Sequence, residues 1–269
     1  MKMKKIITTI LLLIVVTTLT SCSHSVKGDQ YDKIIKRGYI IVGLDDTFVP
    51  MGFRNTNNEI VGFDVELAQA VFKEMGLEVK FQPIDWTMKE TELYKGAIDV
   101  IWNGYTITEE RKDKVAFSTP YLENRQVMIV AKNSDIKNKA DLVNKKVGVQ
   151  SSSSGYDALV SDKDVMNIIY GKNPIEYSTY DFAFQDLING RIDVLIIDEV
   201  FGEYYLKSNN LTQFIILEDD FGTESYGVGF RKDDVKLLEQ FHLAFETIKT
   251  NGTSTEISVR WFNEDKILK

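Results

Sequence analysis

The sequence of 269 residues is short of the residue types on which many functions depend. It contains one cysteine, two histidines and four prolines. A single cysteine excludes an internal disulfide, and His24 and His242 leave little for a zinc site or for a histidine-based catalytic triad. An excess of acidic over basic residues, 40 against 32, gives a net charge of −8 and argues against nucleic-acid binding. The sequence therefore predicts no metal, no cofactor and no nucleic-acid partner.

What the chain does have is an ordinary globular composition, 43% hydrophobic and 27% charged. Such a composition argues against a disordered, collagen-like or disulfide-stapled chain. The length suffices for one large domain or two smaller ones, and either arrangement can bury a sizeable core.

The N-terminus has the pattern of a secretory signal. Lys2, Lys4 and Lys5 precede a run of 14 apolar or threonine residues, 6–19. This run is shorter than the ~20 apolar residues that a membrane-spanning helix needs. It predicts a cleaved signal peptide over residues 1–21, with an uncleaved anchor as the alternative.

The only cysteine, Cys22, follows Leu-Thr-Ser, and this sequence resembles the bacterial lipobox, whose cysteine is acylated. More than one acyl chain holds a protein stably on a membrane. Removal of 21 residues, three of them lysines, would leave 248 residues with a net charge of −11. The resemblance implies an exported lipoprotein on the outer face of the bacterial cell membrane. Residues 22–30 are polar and aperiodic, which predicts a tether to the folded part.

Strands and helices are predicted to alternate beyond the tether. The apolar run 39–44 predicts a buried strand. A helix is predicted over 63–76, because apolar residues recur every four positions and a glycine ends the segment. Alternating apolar and polar residues over 77–83 predict a second strand. The alternation predicts an α/β fold with a largely parallel sheet.

Two segments of the chain recur in the same order. Residues 42–45 have a counterpart in 147–150, and 93–100 matches 187–194 at five of eight positions. Chance similarity between helix–glycine–strand units is the alternative, but the shared order favours two α/β lobes of similar plan. The carboxyl ends of such strands form the ligand-binding edge of an open α/β sheet. We therefore expect a site in a cleft between two lobes.

Several motifs along the chain also occur together in a known family. They are segments 43–50, 61–68, 99–111, 117–121, 147–150, 192–194, 198–199, 226–232 and 251–253. Their order gives residues 30–265 a resemblance to the extracellular solute-binding proteins of polar amino-acid ABC importers. The resemblance implies a type II periplasmic-binding-protein fold, in which two lobes, each a mixed and mostly parallel sheet flanked by helices, enclose the ligand.

The resemblance also implies a domain organisation and a function. Lobe 1 is expected at 31–130, lobe 2 at 131–224 and a return segment of lobe 1 at 225–269, so the chain would cross between lobes near 130–132 and 224–226. The implied function is capture of a polar L-amino acid and its delivery to the transmembrane subunits of an ABC permease. Such a receptor is expected to be a monomer and not an enzyme.

A zwitterionic ligand needs a fixed cation for its carboxylate and a buried acid for its ammonium group. Arg111 is the candidate cation, since its planar guanidinium can meet both carboxylate oxygens. The alternative is an exposed arginine that follows two glutamates. The resemblance adds Thr106 and the backbone around Asn103 and Gly104 as hydroxyl and N–H donors.

The serine run 151–154 precedes a predicted helix, whose first N–H groups suit an anion. The resemblance places ligand donors at Ser153 and Ser154, and a flexible polar loop is the alternative. The family usually has glycine at the position matched to Ser152. The register of this loop is therefore open by one residue.

Asp198 ends an apolar run. It is either a structural cap or the acid that binds the ligand's ammonium group, and the resemblance favours the second role. Phe48 and Trp86 match positions where aromatic rings hold the ligand's aliphatic part, although each could instead belong to the core. Asp45 matches a position that meets a polar or cationic ligand side chain. Its alternative role is to cap the turn that follows it.

The chain departs from the family pattern at Glu90, Glu92, Trp102 and Tyr105, which either recognise the ligand or fill neighbouring gaps. Glu92, Asp45 and the negative net charge favour a ligand with a cationic or amide side chain. Two other functions stay open. One is a cleft enzyme of the amino-acid dehydratase type with Glu90 or Glu92 as its catalytic carboxylate, and the other is a lipid-anchored adhesin or sensor.

Overall fold

The computed structural model describes residues 25–269 of the chain. The predicted signal peptide and Cys22, the predicted site of acylation, lie outside these residues. The described chain forms two lobes, each built on a five-stranded sheet with helices packed against it. Within this part of the chain, every helix is too short or too polar to cross a membrane.

The helices and strands follow the alternation expected from the sequence. The helices are α1 (Tyr31–Arg37), α2 (Phe63–Glu74), α3 (Lys89–Lys95), α4 (Glu109–Lys114), α5 (Ser154–Ser161), α6 (Lys163–Ile168), α7 (Tyr180–Ile188), α8 (Glu199–Ser208), α9 (Val235–Thr250) and α10 (Thr253–Phe262). The strands are β1 (Tyr39–Leu44), β2 (Thr47–Phe48), β3 (Gly52–Arg54), β4 (Ile60–Val61), β5 (Glu78–Pro83), β6 (Val100–Ile101), β7 (Ala116–Phe117), β8 (Leu122–Ala131), β9 (Val147–Gln150), β10 (Ile175–Tyr177), β11 (Val194–Asp198), β12 (Phe214–Tyr226) and β13 (Gly229–Phe230).

The two large sheets share one plan. The strand order is β5-β1-β6-β13-β7 in lobe 1 and β10-β9-β11-β8-β12 in lobe 2. In each sheet the first three strands are parallel and the last two pair antiparallel. The prediction of two lobes with mixed sheets is confirmed. A small antiparallel sheet, β2-β3-β4, is added to lobe 1.

The repeated glycines occupy equivalent places in the two sheets. A Cβ on Gly43 in β1 would lie 2.4 Å from Cδ1 of Ile98, and a Cβ on Gly148 in β9 would lie 2.5 Å from Cδ1 of Ile192. Each glycine therefore makes room for the isoleucine of the matching repeat. The contact explains why the Val-Gly and Ile-Asp-Val motifs recur as a pair.

The repeated aspartates also make equivalent contacts. Asp99 accepts a hydrogen bond from the Ile41 N–H, and Asp193 accepts one from the Lys146 N–H, both at 2.7 Å. Each carboxylate fixes the beginning of the second strand of its sheet, at Ile41 within β1 and at Lys146 just before β9. Chance similarity does not account for two such pairs of contacts, so the repeat is structural.

The chain crosses between the lobes next to two long strands. β8 and β12 pair antiparallel, and β8 also pairs with β11 from Gln126 to Val130, so both long strands belong to the sheet of lobe 2. The first crossing therefore precedes Gln126, whereas the sequence placed it near 130–132. The apolar end of β8 is buried because β8 lies between β11 and β12 in the sheet of lobe 2. Its apolar run therefore does not mark the end of lobe 1. The return crossing follows β12, close to the expected 224–226.

The segment 26–30, expected to be part of the tether, is held against lobe 1. The Val26 N–H donates to the Tyr94 carbonyl at 2.9 Å, and the Gln30 N–H donates to Oδ1 of Asp234 at 2.8 Å. Val26 also lies over Gly96, where a Cβ would come within 2.5 Å of its Cγ2. These contacts extend the ordered part of lobe 1 towards the N-terminus.

The core of lobe 1 accounts for one of the departures from the family pattern. Trp102 packs edge-on against Phe72 and Phe241, with ring centroids 6.0 and 5.4 Å away. The side chain is almost fully buried. Trp102 therefore fills the core behind the strand end.

Candidate ligand-binding cleft

The cleft lies where the strand ends of the two sheets face each other, and polar contacts cross it directly. Nε2 of Gln150 in lobe 2 donates to Oδ2 of Asp45 in lobe 1 at 2.9 Å. The hydroxyls of Thr106 and Ser154, one from each lobe, are 2.9 Å apart. These contacts define a closed arrangement of the lobes.

Arg111, in α4, is a buried cation of the cleft, only 4% exposed. Its guanidinium donates to the Thr106 carbonyl at 3.0 Å and, across the cleft, to the Ser152 carbonyl at 3.2 Å. The guanidinium also lies 4.8 Å from the centroid of the Tyr105 ring. Both acceptors are neutral, and none of the ion pairs formed within residues 25–269 includes Arg111. Because a buried charge without a partner is costly, the surroundings of Arg111 suit an anionic ligand.

The loop before α5 has a left-handed residue at Ser152, where φ is +58°. Glycine adopts this conformation without the steric cost that other residues bear. A glycine at the position matched to Ser152, which the family resemblance implies, would fit this geometry. Ser153 is the N-cap of α5 and accepts from the Tyr156 N–H at 3.0 Å. Ser154 and Gly155 begin the first turn, whose N–H groups lack acceptors within a helix.

The Ser152→Gly variant is expected to raise the free energy of unfolding by about 1 kcal/mol, because glycine tolerates the positive φ that strains serine. Ser151 has no positive φ, so Ser151→Gly is the matched control and should leave stability unchanged or lower it. Urea denaturation of both variants measures the difference. Equal stabilities for the two variants would contradict the assignment of strain to Ser152.

Asp198, the last residue of β11, is a buried acid of the cleft, 3% exposed. Four side chains donate hydrogen bonds to it, namely Tyr226, Asn124 and Gln126 to Oδ1 at 2.6, 2.8 and 3.0 Å, and Tyr180 to Oδ2 at 3.3 Å. Burial, and then the nearby Glu224 carboxylate, raise the pKa of Asp198 to about 7. None of the ion pairs in the described chain includes this carboxylate, so its surroundings suit a cation.

Glu224, near the end of β12, is a cleft residue that the sequence did not single out. Its Oε1 accepts from Thr106 in lobe 1 at 2.8 Å and from Asn124 and Gln126 in lobe 2 at 2.7 and 2.9 Å. The two amides thus serve both Glu224 and Asp198. Glu224 and Thr106 also line a cavity of about 400 Å³ that opens from the cleft. The feature of the sequence that could have indicated Glu224 is its position two residues before the Tyr-Gly-Val-Gly motif.

The turn after β6 depends on a close approach at Gly104, where φ is +55°. A Cβ there would lie 2.9 Å from the Phe48 ring and 3.2 Å from the Tyr226 ring. The Gly104 N–H donates to Oδ2 of Asp64 at 2.7 Å, and burial raises the pKa of that carboxyl to about 7. Asn103 accepts from the Asp45 N–H at 3.1 Å. Asn103 and Asp64 therefore position the turn and its neighbours.

The two predicted aromatic residues lie in different surroundings. Phe48 contacts lobe 2, with its ring centroid 5.1 Å from Phe201 and 6.0 Å from Tyr180. Trp86 packs edge-on against Tyr105 at 5.8 Å, in a hydrophobic cluster of lobe 1 that includes Leu93. The structure therefore places Phe48 at the contact between the lobes and Trp86 in a cluster of lobe 1, with Nζ of Lys89 5.1 Å from its ring centroid.

The structure also shows the surroundings of the other departures from the family pattern, Tyr105, Glu90 and Glu92. The Tyr105 hydroxyl donates to Oε1 of Glu90 at 2.9 Å, beside Arg111. Glu92 instead lines a surface cavity of about 370 Å³ on lobe 1. Asp45 makes its contact across the cleft and also caps the following turn, accepting from the Thr47 N–H at 2.9 Å.

Across residues 25–269 the structure contains no cluster of three or more histidine, cysteine or acidic side chains that could hold a metal ion. What the cleft does contain is a buried cation and a buried anion without ion-pair partners, both at the contact between two lobes. Such a site can bind and enclose a small molecule that carries charges of both signs. Fold and site together define a two-lobed binding protein.

The sequence profile of the bacterial extracellular solute-binding proteins, family 3, matches residues 40–264. The chain belongs to this family. It is 32% identical over 237 residues to the L-cystine-binding protein TcyJ of Escherichia coli K12, covering 87% of this chain and 86% of that protein. It is 34% identical over 224 residues to the ABC transporter arginine-binding protein 1 of the same organism, covering 82% and 89%.

A solved structure confirms the predicted type II periplasmic-binding-protein fold. An ABC uptake transporter substrate-binding protein from Streptococcus pneumoniae, crystallised with bound histidine, superposes with a TM-score of 0.88 and 42% sequence identity. The match covers 90% of this chain and 99% of that one. The predicted family and fold are therefore confirmed over the whole two-lobed body.

Proposed function

We propose that this protein captures an L-amino acid with a positively charged side chain between its lobes and delivers it to the transmembrane subunits of an ABC importer. The observation that carries the proposal is the pair of opposite, buried charges in the cleft, Arg111 and Asp198, neither of which forms an ion pair within residues 25–269. The guanidinium and the first turn of α5 would hold the α-carboxylate. The Asp198 carboxylate would hold the α-ammonium group.

Further acids near the cleft support a cationic ligand side chain. Asp45 is buried, and burial raises its pKa. Burial, and then Asp45, raise the pKa of Asp181, which follows the Tyr180 that contacts Asp198. A cationic side chain would offset this concentration of negative charge. Relatives named for arginine and a similar structure with bound histidine agree with this ligand class.

L-Cystine is the second candidate ligand, because the chain is 32% identical to an L-cystine-binding protein. An enzymatic role for Glu90 or Glu92 is less well supported. Glu90 accepts a hydrogen bond from Tyr105 and lies 3.7 Å from Nζ of Lys89, whereas Glu92 lines a different cavity. The proteins to which the chain is similar are named for binding and uptake.

A thermal-shift screen of the purified protein against the twenty L-amino acids and L-cystine tests the proposal. Arginine, histidine or lysine is expected to raise the midpoint of unfolding in proportion to the logarithm of its concentration, because a ligand that binds only the folded state stabilises it. D-Arginine is the matched control and should give a smaller shift. A flat response to every compound would refute the proposal, and consumption of the amino acid during incubation would favour an enzyme.

We also propose that the mature chain begins at an acylated Cys22, acts as a monomer and lies on the outer face of the cell membrane. The basic start, the short apolar run and the lipobox-like sequence before Cys22 support the anchor. Mass spectrometry of the N-terminal peptide tests it. An unmodified cysteine, or an intact signal sequence, would overturn this part of the proposal.

A further inference from the structure

Lys89, the first residue of α3, is a second buried cation in the cleft, only 3% exposed. Its Nζ donates to the Trp86 carbonyl at 3.1 Å and, across the cleft, to the Ser152 carbonyl at 3.2 Å. Arg111 donates to the same Ser152 oxygen at 3.2 Å. Two positive side chains of lobe 1 therefore converge on one neutral oxygen of lobe 2.

The positive charge at this point is only partly balanced. Glu90 is the acid that pairs with Lys89 in the described chain, at 3.7 Å, and it also accepts from the Tyr105 hydroxyl at 2.9 Å. Burial raises the pKa of Asp157, an acid on α5 that is near enough to interact with both cations. Burial, and then the charge of Arg111, lower the pKa of Lys89 to about 8. Holding both cations in the closed cleft is therefore unfavourable without a further anion.

We propose that Lys89 makes closure of the lobes depend on a ligand with a full negative charge at its carboxyl end. The inference rests on the proposed function. Closing the empty cleft brings the neutral Ser152 carbonyl of lobe 2 onto Lys89 and Arg111 and removes both cations from water, and their repulsion in this poorly solvated site opposes closure. A carboxylate held between Arg111 and the first turn of α5 offsets that repulsion. Lys89 is a positioning residue, because both hydrogen bonds of its ammonium group go to backbone carbonyls of the protein.

The test compares Lys89→Met with the unaltered protein, using L-arginine and L-argininamide as probes. The amide keeps the ammonium group and the side chain of arginine but lacks the carboxylate charge. Calorimetry gives the ratio of the two dissociation constants for each protein. The preference for arginine over the amide is expected to fall at least tenfold in Lys89→Met. The pair L-histidine and L-histidinamide serves in the same way if histidine is preferred.

Lys114→Met is the matched control. Lys114 lies on α4 and pairs with Glu110 at 2.7 Å, and both side chains are largely exposed. Removal of its charge should change the preference for arginine less than twofold, because solvent screens an exposed pair. Lys89→Arg keeps a cation at position 89 and should restore most of the preference.

A second measurement separates this role from a merely structural one. Small-angle scattering of ligand-free Lys89→Met should give a smaller radius of gyration than the unaltered protein, since closure no longer removes two neighbouring cations from water. If Lys89→Met does not fold, Lys89→Gln replaces it. An unchanged preference for arginine, equal to that of Lys114→Met, would overturn the role of Lys89. Failure of the unaltered protein to bind any amino acid would overturn the proposed function instead.

Discussion

Replacing Arg111 with alanine is expected to weaken amino-acid binding more than a hundredfold while the protein still unfolds cooperatively. Removal of one partner of a buried ion pair leaves the other charge uncompensated, which costs roughly 3–5 kcal/mol. The ligand's carboxylate would be that uncompensated charge. Loss of the hydrogen bond from Arg111 to the Ser152 carbonyl of lobe 2 also weakens the contact between the lobes. Isothermal titration calorimetry with L-arginine measures the effect.

Two further variants test whether the effect on binding is specific to the guanidinium of Arg111. Arg54→Ala removes the same charge from lobe 1, but Arg54 is exposed and pairs with Asp46 at the surface, so binding should be unchanged. Arg111→Lys keeps the charge and loses the planar fork, so its affinity should lie between those of the alanine variant and the unaltered protein. Tight binding by Arg111→Ala would remove this residue from the carboxylate site.

Lowering the pH from 7 to 5 is expected to weaken arginine binding, by up to tenfold for each pH unit. In the ligand-free cleft, burial and then Glu224 raise the pKa of Asp198 to about 7. The ligand's ammonium group favours the ionised carboxylate, so below pH 7 binding must first displace a proton. Above pH 7 the carboxylate is already ionised and the affinity should level off. Arginine is the proper probe because its side chain does not titrate in this range.

The other groups that face Asp198 define the controls. Tyr226 and Tyr180 have pKa values well above their ordinary range, so they stay neutral donors throughout. Asp198→Asn should bind weakly at pH 7 and show no pH dependence between 5 and 8. Glu224→Gln removes the other carboxylate and should shift the pH midpoint of binding downwards. An affinity that is constant from pH 5 to 8 in the unaltered protein would contradict the role of Asp198.

The same carboxylate has the opposite effect on the stability of the ligand-free protein. Its pKa in the folded chain, about 7, exceeds the ordinary value of 3.8 expected on unfolding. The folded state therefore binds the proton more tightly, and this group contributes stability below pH 4 that is lost as the pH rises through 7. The buried Asp64 has its pKa raised in the same way and adds to this trend.

Much of the fold could be read from the sequence, because the relevant signals are local. The apolar run 39–44 and the periodicity of 63–76 became β1 and α2. The recurrence of 93–100 in 187–194 became two equivalent units, with matching glycine–isoleucine contacts. The position of the first crossing between the lobes could not be predicted from the sequence, since a buried apolar strand has the same sequence pattern in either sheet.

Parts of the candidate site were predictable for the same reason. Arg111 and Asp198 stand in motifs whose order along the chain carries the family resemblance, and both are buried in the cleft. Trp86 could not be assigned, because a buried tryptophan has the same sequence pattern in a core as beside a ligand. Glu92 could not be placed relative to the cleft either, since helical position alone does not say which cavity a residue lines.

The sequence by itself determined the class of protein and the two-lobed plan, and it predicted an anchor at Cys22 and the residues that would meet a zwitterion. The two-lobed plan depends on short-range periodicity and on an internal repeat, and the rest depends on resemblance to known sequences in motifs that each lie within one segment. Only the three-dimensional structure located the contacts of Lys89 and Glu224 and the positive φ of Ser152. Lys89 meets Ser152 only across the cleft, and Glu224 shares its donors with Asp198 only because β8 lies between β11 and β12. Such contacts join residues far apart in sequence, and their charge balance exists only after the lobes have come together.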